Sequence, residues 1–473
     1  MKLTAPIHIA SMISLTLMVS GCGFQSYFSK PIEPSKIAEK LTQRASTDAD
    51  FQTYLSTQGY PSNQLPIRVW GENELTLSAL FFHPNLNVAR AKWRAAQATQ
   101  ITAAQRPELG IKANAENHNQ ASDKSPWTYS LGIDIPIVTA GKREAKIAQA
   151  ASLSEAARIE IAQAAWLVHS RIAKSLLAYQ YALAQSAILK NEVTLRTAIA
   201  DMLVKRLEAG MASNIEVSNA RIALQKAEQA YIAESGRIDA LSAALASDAG
   251  LSLSAFKPLI IKAFEPTEPA SIDNLQYEAL LNRLDIRASL ARYEAAEAKL
   301  RLEIAKQYPD ITLSPAKTLD QGDNIWSLGF SSLLTLINKN RGLIAEATSL
   351  REVQIAEFEA LQAKVIGDLN QAKASYQAAI EANKKAQTLL ANQQKRAQQT
   401  ERQFNAGFAD RLALNTTQLE NIIATQNVLN TAFQTQVTKL NLEDVLQRPI
   451  DTRLTLPSEA DLVSNKPNRT ATP

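Results

Sequence analysis

The chain has one cysteine, Cys22, and it follows Val19-Ser20-Gly21. A thiol preceded by small residues, after a basic start at Lys2 and an apolar stretch from about Ile7 to Val19, is the pattern of a signal peptide over 1–21. Cleavage would leave Cys22 as an acylated N-terminus. Two or three acyl chains there make a stable anchor, which one chain does not. A plain signal peptide with an incidental cysteine has the same outline. The histidines offer less chemistry. His8 leaves with the leader, and His83, His118 and His169 stand far apart, with no HExxH spacing. His169, in Val168-His169-Ser170, reads as a partly exposed helix residue. No G-x-S-x-G, phosphate-binding loop or GxGxxG occurs, and the carboxylates are spread along helix faces beside Lys and Arg at i+4. We expect no catalytic residues, no metal site and no cofactor beyond the covalent lipid on Cys22, and therefore no enzyme. Net charge is only +4 over 473 residues, without dense Lys/Arg runs among aromatics, so no nucleic-acid partner is expected.

The elements that carry these residues come in two copies. Arg206-Leu207-Glu208-Ala209-Gly210-Met211-Ala212 is echoed by Gln403-Phe404-Asn405-Ala406-Gly407-Phe408-Ala409, 197 positions later. Tyr129-Ser130-Leu131-Gly132 is echoed by Trp326-Ser327-Leu328-Gly329 at the same offset. Gln105-Arg106-Pro107-Glu108-Leu109 is echoed by Gln307-Tyr308-Pro309-Asp310-Ile311 at 202. The drift falls in a loop, where insertion is cheap. Three landmarks in one order at nearly one spacing mean one structural unit present twice.

Each unit has the same plan. A helix over about Pro84 to Gln105, or Asp285 to Gln307, is stopped by Pro107 or Pro309. Two extended segments follow. From Trp127 to Ile137 apolar residues alternate with Thr128, Ser130, Gly132 and Asp134. Trp326, Leu328 and Phe330 alternate with Ser327, Gly329 and Ser331. Pro315 is expected to limit the segment that begins at Ile311. The alternation also fits a half-buried sheet of a soluble protein. Strand length, aromatics at the strand starts and small polar residues on the other face favour a membrane barrel. Four strands are too few to close one, so that reading requires several chains. Next comes a stretch from Lys142 to Glu208 with no proline or glycine, and one from Leu343 to Asn405 broken only by Gly367. At about 1.5 Å per residue each spans on the order of 100 Å. Each turns at Gly210 or Gly407 and returns, to about Asp248 and Leu446. Large apolar residues are few, so each pair has a thin core. An ordinary antiparallel coiled coil is one solution, and a cylinder of many pairs is a better one.

With His83-Pro84-Asn85-Leu86 and Arg283-Leu284-Asp285-Ile286 opening the two units, the chain from about Thr76 to Leu446 resembles the TolC-like outer-membrane efflux family. The resemblance implies a mainly α protein with a small membrane β part. Duplicated strand–strand and long-hairpin units would form a trimeric 12-stranded β-barrel and a long α-helical periplasmic tunnel. On that plan residues 1–21 are the signal peptide and 22–72 the lipid anchor and N-terminal linker. Residues 73–250 are the first repeat, 251–275 an equatorial connector, 276–447 the second repeat, and 448–473 a polar tail, mobile or loosely wrapped. It also implies a homotrimer in the outer membrane of a Gram-negative bacterium, in contact with its lipid, a periplasmic adaptor and an inner-membrane pump. Gly23 after the cysteine, in place of Asp, fits sorting to that membrane. Adaptor contacts would fall on Leu207, Ala209, Gly210, Met211 and Ala212, and on Phe404, Ala406, Gly407, Phe408 and Ala409. Members that narrow the periplasmic aperture with acids carry them at positions held here by Ala413 and Thr416, neither acidic. Glu216 matches the acidic position of the first unit. It has three fates open to it: a pair with Arg411, a pair with Arg221, or solvent. Passive export of small toxic solutes is the function so implied, with a protein-secretion duct and a structural coiled-coil lipoprotein as alternatives.

Overall fold

A computed structural model describes residues 25–119, 126–265, 281–333, 338–450 and 457–464. Cys22, the leader and part of the 251–275 connector lie outside them. The chain falls into two compact units, 1–43 and 44–473. The described part of the first is an exposed segment carrying helix α1 (Pro34–Thr42), with proline in its first turn, where no N–H is needed.

The second unit opens with helix α2 (Ala49–Thr57), strand β1 (Val69–Trp70) and helices α3 (Glu72–Phe82) and α4 (Pro84–Ala104). Strands β2 (Gly110–Asn117) and β3 (Trp127–Ile137) lead into α5 (Lys142–Glu208), which returns as α6 (Asn214–Asp248). A short helix, α7 (Leu253–Phe256), and strand β4 (Ile260–Ile261) follow. The second copy is α8 (Leu284–Ala305), β5 (Ile311–Asp320), β6 (Asp323–Ser332), α9 (Arg341–Asn405) and α10 (Arg411–Leu446). Helix α11 (Glu459–Ser464) ends the described chain. The protein is mainly α, with a small β part built from both copies.

The hub sits midway along α5. Val168, Ile172 and Leu176 of that helix pack with Phe51 and Leu55 of α2, Trp70 of β1, and Leu245 of α6. β1 pairs with β4 in parallel, Trp70 against Ile261. Residues 44–72, expected within a linker, therefore contribute core: Phe51 and Leu55 are wholly buried. Their apolar spacing is too short to be conspicuous in a polar stretch. Part of the tail, residues 457–464, is docked as well. Leu462 of α11 is buried beside Leu86 and Ile161, Arg90 donates to its carbonyl at 3.0 Å, and Glu459 joins Arg158 and Arg287.

α5 packs on α4, α6, α8 and α10, and has twenty buried residues. α9, nearly as long, buries only Ala347, Val365, Leu369, Tyr376 and Ala386. Ala- and Gln-rich sequence makes a good helix, and this one packs on α8 and α10 with little of its surface fully covered.

Candidate channel walls and docking tips

β2, β3, β5 and β6 form one antiparallel sheet in that order, so β2 and β6 are open edges. The register sorts the residues by parity. Ile111, Ile133 and Pro315 lie on one face, while Lys112, Gly132 and Ala316 lie on the other. The first face is apolar and exposed, with Leu131, Trp326, Leu328 and Phe330 open to the surroundings. The second is polar. Lys112 pairs with Asp134 at 2.6 Å, and Ser314 Oγ donates to Asp134 at 2.6 Å.

Pro315 does not end β5, contrary to expectation. It stays in register with Leu328 of β6. The β3–β5 ladder is interrupted between Gly132–Ala316 and Ile135–Leu313, where Pro315 has no N–H to give. The Ser314–Asp134 bond bridges that gap through side chains. The strand that carries the Trp326–Ser331 alternation ends at Ser332, and 334–337 lie outside the described residues.

Below the sheet, Lys142 at the start of α5 meets Asp310 at 2.7 Å, and the Thr139 N–H donates to the same carboxylate at 2.9 Å. Glu303, 1% exposed, accepts from Lys299 at 2.7 Å, Lys306 at 2.9 Å and the Asn340 amide at 3.0 Å. Burial opposes its charge, but the two ammoniums and the amide outweigh burial and hold its carboxyl down at about 2. These joints fix the sheet to the hairpins.

The two tips have the same stop. α5 ends at Glu208 and Gly210 adopts φ +70°. Met211 N–H donates to Arg206 O and Gly210 N–H to Leu207 O. α9 ends at Asn405 and Gly407 adopts φ +80°. Phe408 N–H donates to Gln403 O and Gly407 N–H to Phe404 O. This paired closure is the Schellman motif, and its left-handed residue favours glycine. It leaves Ala209, Gly210, Met211, Ala406, Gly407 and Phe408 exposed, and Leu207, Ala212, Phe404 and Ala409 half-buried. Met211 is 72% and Phe408 87% exposed.

The starts of the return helices differ. Ser213 caps α6 in a reciprocal box: its hydroxyl accepts from Glu216 N–H, and Glu216 accepts from Ser213 N–H at 2.6 Å. Glu216 thus pairs with neither Arg411 nor Arg221. The Ser213 N–H, then its hydroxyl, holds the carboxyl below the ordinary glutamate range. Arg411 instead stands 5.9 Å from the Phe404 ring centre. In the second tip Asp410 caps α10, accepting from Ala413 N–H at 2.7 Å, and its other oxygen takes Arg206 Nη2 of the first tip at 2.7 Å. Ala413 and Thr416 are exposed and neutral. The first turn motif includes Arg206, but nothing in the sequence marked its pairing with Asp410.

The histidines are held apart. His83 caps α4 through Asn85 N–H, His118 Nε2 lies 3.0 Å from Thr128 Oγ1, and His169 Nδ1 lies 3.3 Å from Thr76 Oγ1. His169 is 2% exposed, not partly exposed as expected, because α3 covers it. Burial pushes it down to about 4, against Asp444, which raises it. Among the described residues no group of three or more His, Cys, Asp or Glu could hold a metal ion, and no helix is long and apolar enough to cross a membrane.

Comparison with known proteins agrees with this geometry. The sequence profile described as "Outer membrane efflux protein" matches residues 75–251 and 275–446. The cobalt-zinc-cadmium resistance protein CzcC of Cupriavidus metallidurans is 24% identical over 270 residues, 56% of this chain and 63% of that protein. The chain thus matches less than two thirds of that relative's length. The outer membrane protein VceC of Vibrio cholerae superposes with a TM-score of 0.66 at 20% identity, covering 80% of this chain and 97% of that one. The open-state MtrE outer membrane channel of Neisseria gonorrhoeae gives 0.64 at 16%, covering 81% and 91%.

Proposed function

This chain belongs to the outer membrane efflux protein family, and from that premise we propose that it is the passive exit duct of a tripartite export system. The observation that carries the reading is the sheet. It has an apolar exposed face, a polar opposite face and two unpaired edges, and it is joined to two hairpins on the order of 100 Å long. Exposed edges and exposed apolar surface are both unfavourable in isolation. Three copies pairing β6 of one with β2 of the next give twelve strands and remove the edges, and lipid covers the apolar face; twelve strands are within the range of closed membrane barrels. The sparsely buried α9 then gains neighbours in a tunnel wall.

The polar face, with Lys112, Asp134 and Ser314, lines the water path. Such a path needs shape and polarity, not acid–base chemistry, so the protein works without a cofactor. Acylation of Cys22 anchors it to the outer membrane of a Gram-negative cell. The tips, through Leu207, Ala209, Gly210, Met211 and Ala212 and through Phe404, Ala406, Gly407, Phe408 and Ala409, receive the periplasmic adaptor. That adaptor bridges to an inner-membrane pump. Exposed Met211 and Phe408 are the apolar anchors, and the small residues let a partner helix approach. The cargo is small toxic solutes. Divalent transition cations come first, since the curated relative is a cobalt-zinc-cadmium resistance protein.

The test is conductance of the purified acylated protein in planar bilayers, beside its mass in detergent. Steady steps from a species of three chains are expected. A silent monomer overturns the reading.

A further inference from the structure

The apolar face of the sheet is neutral except at one position. The odd-numbered residues of β2, β3 and β5 and the even-numbered residues of β6 share that face, and of these Lys317 alone is charged. It stands between Leu131 of β3 and Trp326 of β6, exposed, with its ammonium 5.3 Å from the Trp326 ring centre. The strand carboxylates, Glu116, Asp134, Asp320 and Asp323, all fall on the opposite face by the same register. The sheet therefore offers this lysine no anion on its own side.

Its height along the strand is also informative. Lys317 lies three residues before the end of β5 at Asp320, toward the turn and away from the helical hairpins. At that end the face carries Trp127 and Tyr129, stacked 5.9 Å apart, and Trp326. At the hairpin end it carries Ile137, Ile311 and Leu313. Rings with a polar tip belong at a membrane–water boundary, and aliphatic side chains belong in the hydrocarbon. A lysine on a lipid-facing surface is tolerated where its stem lies along apolar surface and its head reaches the headgroup layer. With the hairpins in the periplasm, that layer is the outer leaflet.

We propose that Lys317, beside Trp326, binds the phosphate of an anionic lipid in the outer leaflet. The ammonium supplies charge and hydrogen bonds to the phosphate oxygens. The indole ring holds the ammonium by cation–π attraction and gives the acyl chains an apolar wall. The site rests on the membrane-barrel reading above.

The test uses the full-length protein in detergent, examined by native mass spectrometry with bisphosphorylated lipid A or with the same lipid stripped of its phosphates. Wild type retains the phosphorylated form roughly tenfold better, the factor that one charge-assisted hydrogen bond supplies. Lys317→Gln loses the preference and Lys317→Arg keeps it. Equal retention by wild type and Lys317→Gln, or equal retention of the two lipids, overturns the site. Planar-bilayer recordings of the same samples separate the two ideas. Conducting protein without the preference means that only the lipid site fails. Protein that is silent and binds neither lipid means that the barrel reading fails and takes the site with it.

Discussion

Arg206, in the last turn of α5, donates to the free carboxylate oxygen of Asp410, the residue that caps α10, at 2.7 Å. One side chain thus starts the return helix of the second hairpin and ties it to the tip of the first. The carboxyl is held below the ordinary aspartate range first by the Ala413 N–H and then by Arg206. A lowered value means that this contribution is fully present above an ordinary pKa near 3.9, and is lost as pH falls through the folded value. Arg206→Ala should loosen the tips at a cost of at most about 1 kcal/mol, because the pair is exposed. Asp410→Ala also removes the cap and should cost about 1–2 kcal/mol. Larger single-channel steps in Arg206→Ala at neutral pH are expected. Unchanged steps would show that the bridge does not hold the resting tip.

Gly210 and Gly407 occupy left-handed backbone with open space around them. Gly407→Ala should therefore cost about 1–2 kcal/mol from conformation alone, with no clash. Hydrogen exchange should show the loss confined to 403–414, with the hub unaffected. Protection lost at Phe51 or Leu245 as well would contradict this local account.

Glu303 should be the most acid-sensitive joint between sheet and helices. Its folded value near 2 lies below an ordinary glutamate. Its stabilisation is complete above about 4.3 and drains away as pH falls toward about 2. Glu303→Gln keeps the shape but faces two ammoniums without a charge, and should lower stability by about 1–3 kcal/mol. Denaturant midpoints at pH 7 and pH 3 read both effects. A difference between variant and wild type that is as large at pH 3 as at pH 7 would refute the ionic account.

His169 acts in the same direction for a different reason. Burial pushes His169 down to about 4, so on acidification it binds its proton later than in the unfolded chain. Stability tied to it is full above about 6.5 and declines as pH falls toward 4, by on the order of 3 kcal/mol. His169→Gln should flatten the thermal-midpoint profile between pH 6.5 and 4. An unflattened profile would place the pH dependence elsewhere.

Glu459 holds α11 between Arg158, at 3.0 Å, and Arg287. Glu459→Ala should release the tail helix without unfolding the hub, since Leu462 and Val463 pack in a separate cluster. Limited proteolysis would show faster cleavage after residue 457 at an unchanged thermal midpoint. Equal cleavage rates would mean that the Arg90 bond to the Leu462 carbonyl suffices.

The sequence by itself determined the duplication, the long hairpins, the glycine turns and the two faces of β3 and β6. These follow from local rules: a run without Gly or Pro continues a helix, a left-handed turn favours glycine, and a strand alternates with period two. Tertiary structure decided the rest. Pro315 persists in a strand because the missing bond falls in a ladder gap that Ser314 and Asp134 fill from positions 180 apart. Phe51, Tyr54, Leu55 and Trp70 join the core, and α11 docks on Arg90 from 372 positions away. Most clearly, two tips with the same glycine stop acquire different caps. Glu216 answers Ser213 three residues away, whereas Asp410 answers Arg206 across 204. The first pairing can be read along one helix. The second exists only once the two hairpins lie side by side, so no local pattern marks it.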